Sequence, residues 1–168
     1  MSKEILLQIV NFLLLIAAQI FVFGNMSILG SATPYIYILS LLIFPLYINQ
    51  TLFLIIGFFT GLTMDFFYNS GGIHAAACVT IAYFRPIALK FSFGMSYEYY
   101  TLKISQTPWG GRLTYLSILI FIHHLILFSL EFFNFKHTLL ILKSTLFSSI
   151  ITIILCVIIM ILFTKKSK

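Results

Sequence analysis

Asp65, His74, His123, His124 and Glu131 each lie in or beside a stretch that is otherwise almost wholly apolar. An ionisable group inside a bilayer costs at least ~2.5 kcal/mol on insertion scales, so it faces a bundle interior, pairs with another group, or lines a cavity. Three kinds of chemistry fit such residues: helix-to-helix pairing, a pocket for an ion or small solute, and catalysis. The first is the simplest, because a histidine in a span can bond a neighbouring helix with nothing else present. His124 and Glu131 are two helical turns apart and share a face, whereas the adjacent His123 and His124 are ~100° apart, a poor pair for one metal ion. Asp65, His74, His124 and Glu131 are therefore expected to converge in one half of a bundle. No HExxH, CxxC, GxSxG or GxxxxGK[ST] pattern occurs in the sequence, so no catalytic, cofactor or metal site is expected.

The elements that must position these residues follow from composition. Of the 168 residues 61% are apolar and only 8% charged, against about 25% charged in a soluble domain. With a mean hydropathy of +1.09, the chain reads as an integral membrane protein, an all-α bundle in one transmembrane domain covering 1–168. Six spans are expected: 5–23, 34–48, 51–67, 73–91, 113–133 and 139–163. Pro34 suits a first helical turn, and Pro45 should kink or end the second span. Residues 92–112, with three Tyr, the only Trp and a Pro, suit a loop at the headgroup level. Cys78 and Cys156 fall on different spans at no metal-type spacing and read as apolar filler.

The basic balance, ten Lys and Arg against four Asp and Glu, concerns the lipid bilayer and not nucleic acid. Lys3, Arg85, Lys90, Lys103, Arg112, Lys165, Lys166 and Lys168 fall on the side of the termini in a six-span reading, against Lys136 and Lys143 on the other. That bias puts both termini and the 92–112 loop in the cytoplasm.

The block GFFTGLTMDFFYNSGGIHAAACVTIAYFRP, 57–86, holds the densest information. On one helix Gly57, Gly61 and Asp65 form a single stripe, with Asp65 ~80° from Gly57. Small residues at such spacing admit a neighbouring backbone, so the stripe should face another helix. The turn with Gly72 then brings Asp65 and His74 to one level, where the carboxylate can meet the imidazole or the free backbone groups of the turn. The next helix should end near Arg85, since Pro86 disfavours helix in the residue before it.

This block resembles the signature of the MreD family of rod shape-determining membrane proteins, a Gly-x-x-x-Gly-x-x-x-Asp helix followed by a Gly-x-His-Ala turn and an Arg-Pro end. Gly57, Gly61, Asp65, Gly72, His74, Ala75, Arg85 and Pro86 match it, and the late HHLILFSLEFF segment is similar. The resemblance implies a non-enzymatic subunit of the cell-elongation machinery in the inner membrane. Its partners would be an MreC-like protein, the actin-like MreB and the peptidoglycan synthases of the rod complex. It also implies a fold similar to the substrate-binding component of energy-coupling-factor transporters, which keeps a small-solute-binding transporter component as the alternative.

Overall fold

The computed structural model describes residues 3–24, 26, 33–94, 104, 107–133 and 138–163. Among these residues every regular element is a helix. α1 runs Lys3–Ala18 and continues as a π-helical turn, Gln19–Phe23; α2 is Ile38–Leu42, α3 Gln50–Tyr68, α4 Ile73–Phe93, α5 Trp109–Phe132 and α6 Thr138–Phe163. Five helices, all but α2, are long and apolar enough to cross a membrane. They turn many large apolar side chains outward, Phe21, Phe66 and Leu162 among them, as a bundle surrounded by lipid does. The calls on Lys103, Lys136, Lys165, Lys166, Lys168 and most of the 92–112 loop lie outside the described residues.

Packing is sequential: α3 lies on α4, α4 on α5 and α5 on α6, while α1 rests on the α2 segment. The α3–α4 contact is the close one expected of a glycine stripe. A Cβ added at Gly61 would stand 2.4 Å from Ala75 Cα, and one at Gly57 3.3 Å from the Cys78 carbonyl oxygen. The α3–α4 link turns on Asn69, Gly71 and Gly72, all with positive φ; at 101° Gly72 holds a value that side chains rarely tolerate.

Two expectations about the helices are corrected. Residues 34–48 do not form one helix; only Ile38–Leu42 is helical. This stretch lies in the centre of the bundle, with Ile36 to Leu42 at most 2% exposed. It runs from the end of the bundle marked by Tyr68 and His74 to the end marked by Gln50 and Arg85. Tyr35 stacks edge-on against Tyr68 at 6.3 Å, and Phe44 packs on Phe12 and Phe53, each at 5.8 Å between centroids. Helix is not compulsory there because the neighbouring side chains satisfy the backbone. The second correction concerns Pro86, which does not end α4 near Arg85: the helix continues through it to Phe93, in keeping with the expected 73–91 span. The other bounds move little, except that α5 begins at Trp109, ahead of the expected 113.

Candidate functional site

The broken stretch 33–44 has buried backbone groups without helical partners, and four other elements supply them. The π-helical turn of α1 points Gln19 inward, fully buried. Its amide donates to the Pro34 carbonyl at 3.1 Å and to the Tyr68 hydroxyl at 2.9 Å, and its oxygen accepts from the Tyr37 N–H at 3.4 Å. On α6, Ser148 Oγ accepts from the Thr33 N–H at 3.1 Å and Thr152 Oγ1 from the Tyr35 N–H at 3.2 Å. On α5, the Tyr115 hydroxyl donates to the Leu42 carbonyl at 3.1 Å. Arg85 on α4 donates from Nη2 to the Phe44 carbonyl and from Nε to Tyr115 Oη at 3.2 Å. Irregular backbone at membrane depth is tolerated only where protein groups satisfy it, which gives these polar residues their places.

Tyr37 is the hub of the resulting polar seam. Its hydroxyl lies 2.9 Å from His74 Nδ1 and 2.8 Å from His123 Nε2, joining α4 to α5 through the central stretch. One phenol proton serves only one of these nitrogens, so one imidazole accepts it and the other donates to the phenol oxygen. Cys78 Sγ donates weakly to the same oxygen at 3.7 Å, so this cysteine belongs to the seam and is more than filler. His123 Nδ1 is buried without a hydrogen-bond partner among the described residues. Tyr35 closes the seam, with its ring centroid 5.3 Å from that of His74 and 5.5 Å from that of His124. His124 turns toward α6: its Nδ1–H donates to the Ile120 carbonyl at 2.8 Å, leaving Nε2 to accept from Thr152 Oγ1 at 3.3 Å.

Asp65 serves the adjoining turn. Its Oδ1 accepts from the Ser70 hydroxyl at 2.5 Å and the His74 N–H at 2.9 Å, and its Oδ2 from the Ala75 N–H at 2.9 Å. Gly72 at the start of α4 has no capping side chain, so a carboxylate from the previous helix caps α4 instead, where the helix dipole favours negative charge. Asp65 and His74 therefore meet through the His74 backbone, and the imidazole is left for Tyr37.

Arg85 is buried among neutral partners. Besides its two hydrogen-bonded groups, its guanidinium lies 4.2 Å from the centroid of the Phe53 ring. Pro86, which follows it, has no N–H for the carbonyl four residues back. Gln50 Nε2 donates to that carbonyl, Ala82 O, at 2.8 Å, so the helix passes the proline with its hydrogen bonding repaired.

The structure thus brings together Asp65 and His74, and separately His74 with His123. The expected convergence of Asp65, His74, His124 and Glu131 is corrected: His124 packs on the rings of Tyr35 and His123, and Glu131 is exposed near the end of α5. Sequence reasoning passed over Gln19, Tyr35, Tyr37, Gln50, Tyr115, Ser148 and Thr152. Their available signal was that each is a polar side chain in an apolar run, the same signal that singled out the histidines. Among the described residues no three His, Cys, Asp or Glu side chains are arranged to hold a metal ion. An open apolar groove of about 220 Å³ between α4 and α5, lined by Phe84, Ile87, Ala88, Phe91, Ile118 and Ile122, includes none of the seam residues.

Fold and site together define a helical membrane bundle whose buried polar side chains bond its own backbone and one another. In comparisons with known proteins, no family model, curated protein or solved structure matches the chain.

Proposed function

We propose that the chain is a non-enzymatic inner-membrane subunit of the bacterial cell-elongation (rod) complex, of the MreD kind, which maintains cell shape by scaffolding peptidoglycan-synthesis partners. One observation carries this reading: five of the signature residues have structural tasks within the chain. Gly57 and Gly61 admit α4, Asp65 caps it, Gly72 turns into it, and Arg85 holds the Phe44 carbonyl. A polar set committed to internal structure supports a rigid platform more than a reacting or solute-holding site. In this reading residues 34–48 make a sixth crossing, and both termini lie in the cytoplasm. The distribution of basic side chains supports that orientation, with Arg85, Lys90 and Arg112 toward one end of the bundle and Lys143 toward the other. The partners are an MreC-like protein, the MreB-like actin homologue and the synthases of the rod complex.

The test is co-purification of the full chain from membranes in mild detergent, with mass spectrometry of both proteins and small molecules. Recovery of an MreC-like protein or a synthase is expected. Recovery of a stoichiometric small solute with ATP-binding-cassette subunits would favour the transporter alternative and overturn the scaffold reading.

A further inference from the structure

The central stretch 33–44 differs from the five long helices in how its backbone is satisfied. Those helices close nearly all their hydrogen bonds within themselves, α4 drawing on Asp65 and Gln50 of α3 for its first turn and for the Ala82 carbonyl. In the stretch, the Thr33 and Tyr35 N–H groups bond Ser148 and Thr152 of α6, the Tyr37 N–H bonds Gln19, and the Leu42 and Phe44 carbonyls bond Tyr115 and Arg85. All five partners are side chains, and two come from the last helix of the chain, more than a hundred residues away. A buried N–H in lipid has no water to turn to. The helical alternative does not rescue it, because 34–48 as a helix would be about 22 Å long, short of a hydrocarbon core of about 30 Å. Among the described residues, α1 has its main packing partner in this stretch, and its terminal turn reaches α3 through the hydrogen bond from Gln19 to the Tyr68 hydroxyl.

We infer that residues 33–44 form a conditional crossing, stable at membrane depth only while docked on α6 through the hydroxyls of Ser148 and Thr152. This does not depend on which partners the protein has. Its consequence is that the last helix decides whether the second segment is held in the membrane.

The experiment uses the full-length chain carrying Ser40→Cys as a reporter, since Ser40 is small and 2% exposed, with Cys156, fully buried on α6, as an internal control. Open membrane sheets are treated with a water-soluble maleimide, and the modified cysteines are identified by mass spectrometry. With Ser148 and Thr152 intact, both positions should resist labelling until the protein is denatured. In the Ser148→Ala, Thr152→Val double variant, position 40 should label at least ~10-fold faster while Cys156 stays protected; the same gap in free energy is about 1.4 kcal/mol. Thr152→Ser, which keeps the hydroxyl, should restore protection. Unchanged protection at position 40 in the double variant would overturn the inference. So would simultaneous exposure of Cys156, because the crossing would then be inseparable from the bundle.

Discussion

Gln50, in the first turn of α3, donates from Nε2 to the Ala82 carbonyl at 2.8 Å, the acceptor that Pro86 leaves without a helical donor. A proline in mid-helix normally costs ~3 kcal/mol, part of it the missing bond. Here a side chain on the neighbouring helix makes that bond and ties the start of α3 to the middle of α4.

The bond is testable by a double-mutant cycle. Gln50→Leu should destabilise the protein by ~1–3 kcal/mol, the cost of an unsatisfied buried carbonyl. Pro86→Ala restores an N–H at that position, so Gln50→Leu in the Pro86→Ala background should cost less than half as much. Unfolding in detergent, followed by circular dichroism, gives the four stabilities, and equal costs in both backgrounds would show that Gln50 does not compensate for the proline.

At Gly61 the prediction is steric. A Cβ there would meet the Ala75 and His74 backbone at 2.4–2.6 Å, and backbone cannot swing aside as a long side chain can. Gly61→Ala should therefore already cost ~1–3 kcal/mol, and Gly61→Leu should abolish accumulation. Gly57→Ala should be milder, with its nearest contacts at 3.3 Å. Immunoblots of membrane fractions, with thermal melts of whatever accumulates, rank the three; normal accumulation of Gly61→Leu would mean that α3 does not pack on α4 this way.

For Asp65 the ranking follows from acceptor counting. Leu leaves the Ser70 hydroxyl and the His74 and Ala75 N–H groups without their acceptor, at ~1–3 kcal/mol for each group that stays buried. Asn keeps one carbonyl oxygen and most of the shape, so Asp65→Asn should lie between wild type and Asp65→Leu. Stability and shape rescue should fall together at matched protein levels. A full loss of rescue by Asp65→Asn in a stably folded protein would assign the carboxylate a role beyond capping.

Tyr37→Phe removes one oxygen that serves both His74 and His123. Interhelical hydrogen bonds in membrane proteins average ~0.6 kcal/mol, which sets a floor near ~1 kcal/mol for two. Two buried ring nitrogens left unpaired should raise this to ~2–3 kcal/mol. His123→Leu in the Tyr37→Phe background should then cost less than alone, and strict additivity in detergent unfolding would show that the hydroxyl does not couple the helices.

Composition and apolar run length alone determined that the chain is a helical membrane bundle, and they located α1, α3, α4, α5 and α6 to within a few residues. Helices of that length in lipid close their own backbone bonds, so their existence is a local property that periodicity can report. The glycine stripe was legible for the same reason, since Gly57, Gly61 and Asp65 share a face by spacing alone. Tertiary structure decided what is made between helices. Whether 34–48 is a helix depends on Gln19, Tyr115, Ser148 and Thr152 standing beside it, and whether Pro86 ends α4 depends on Gln50. Spacing left the Asp65 carboxylate two partners, the His74 imidazole or the backbone groups of the turn; it takes the backbone, and only the path of the central stretch brought Tyr37 to the imidazole. Glu131 shares a helix face with His124 by spacing yet ends exposed, because a shared face does not fix which end of that face the neighbouring helices cover.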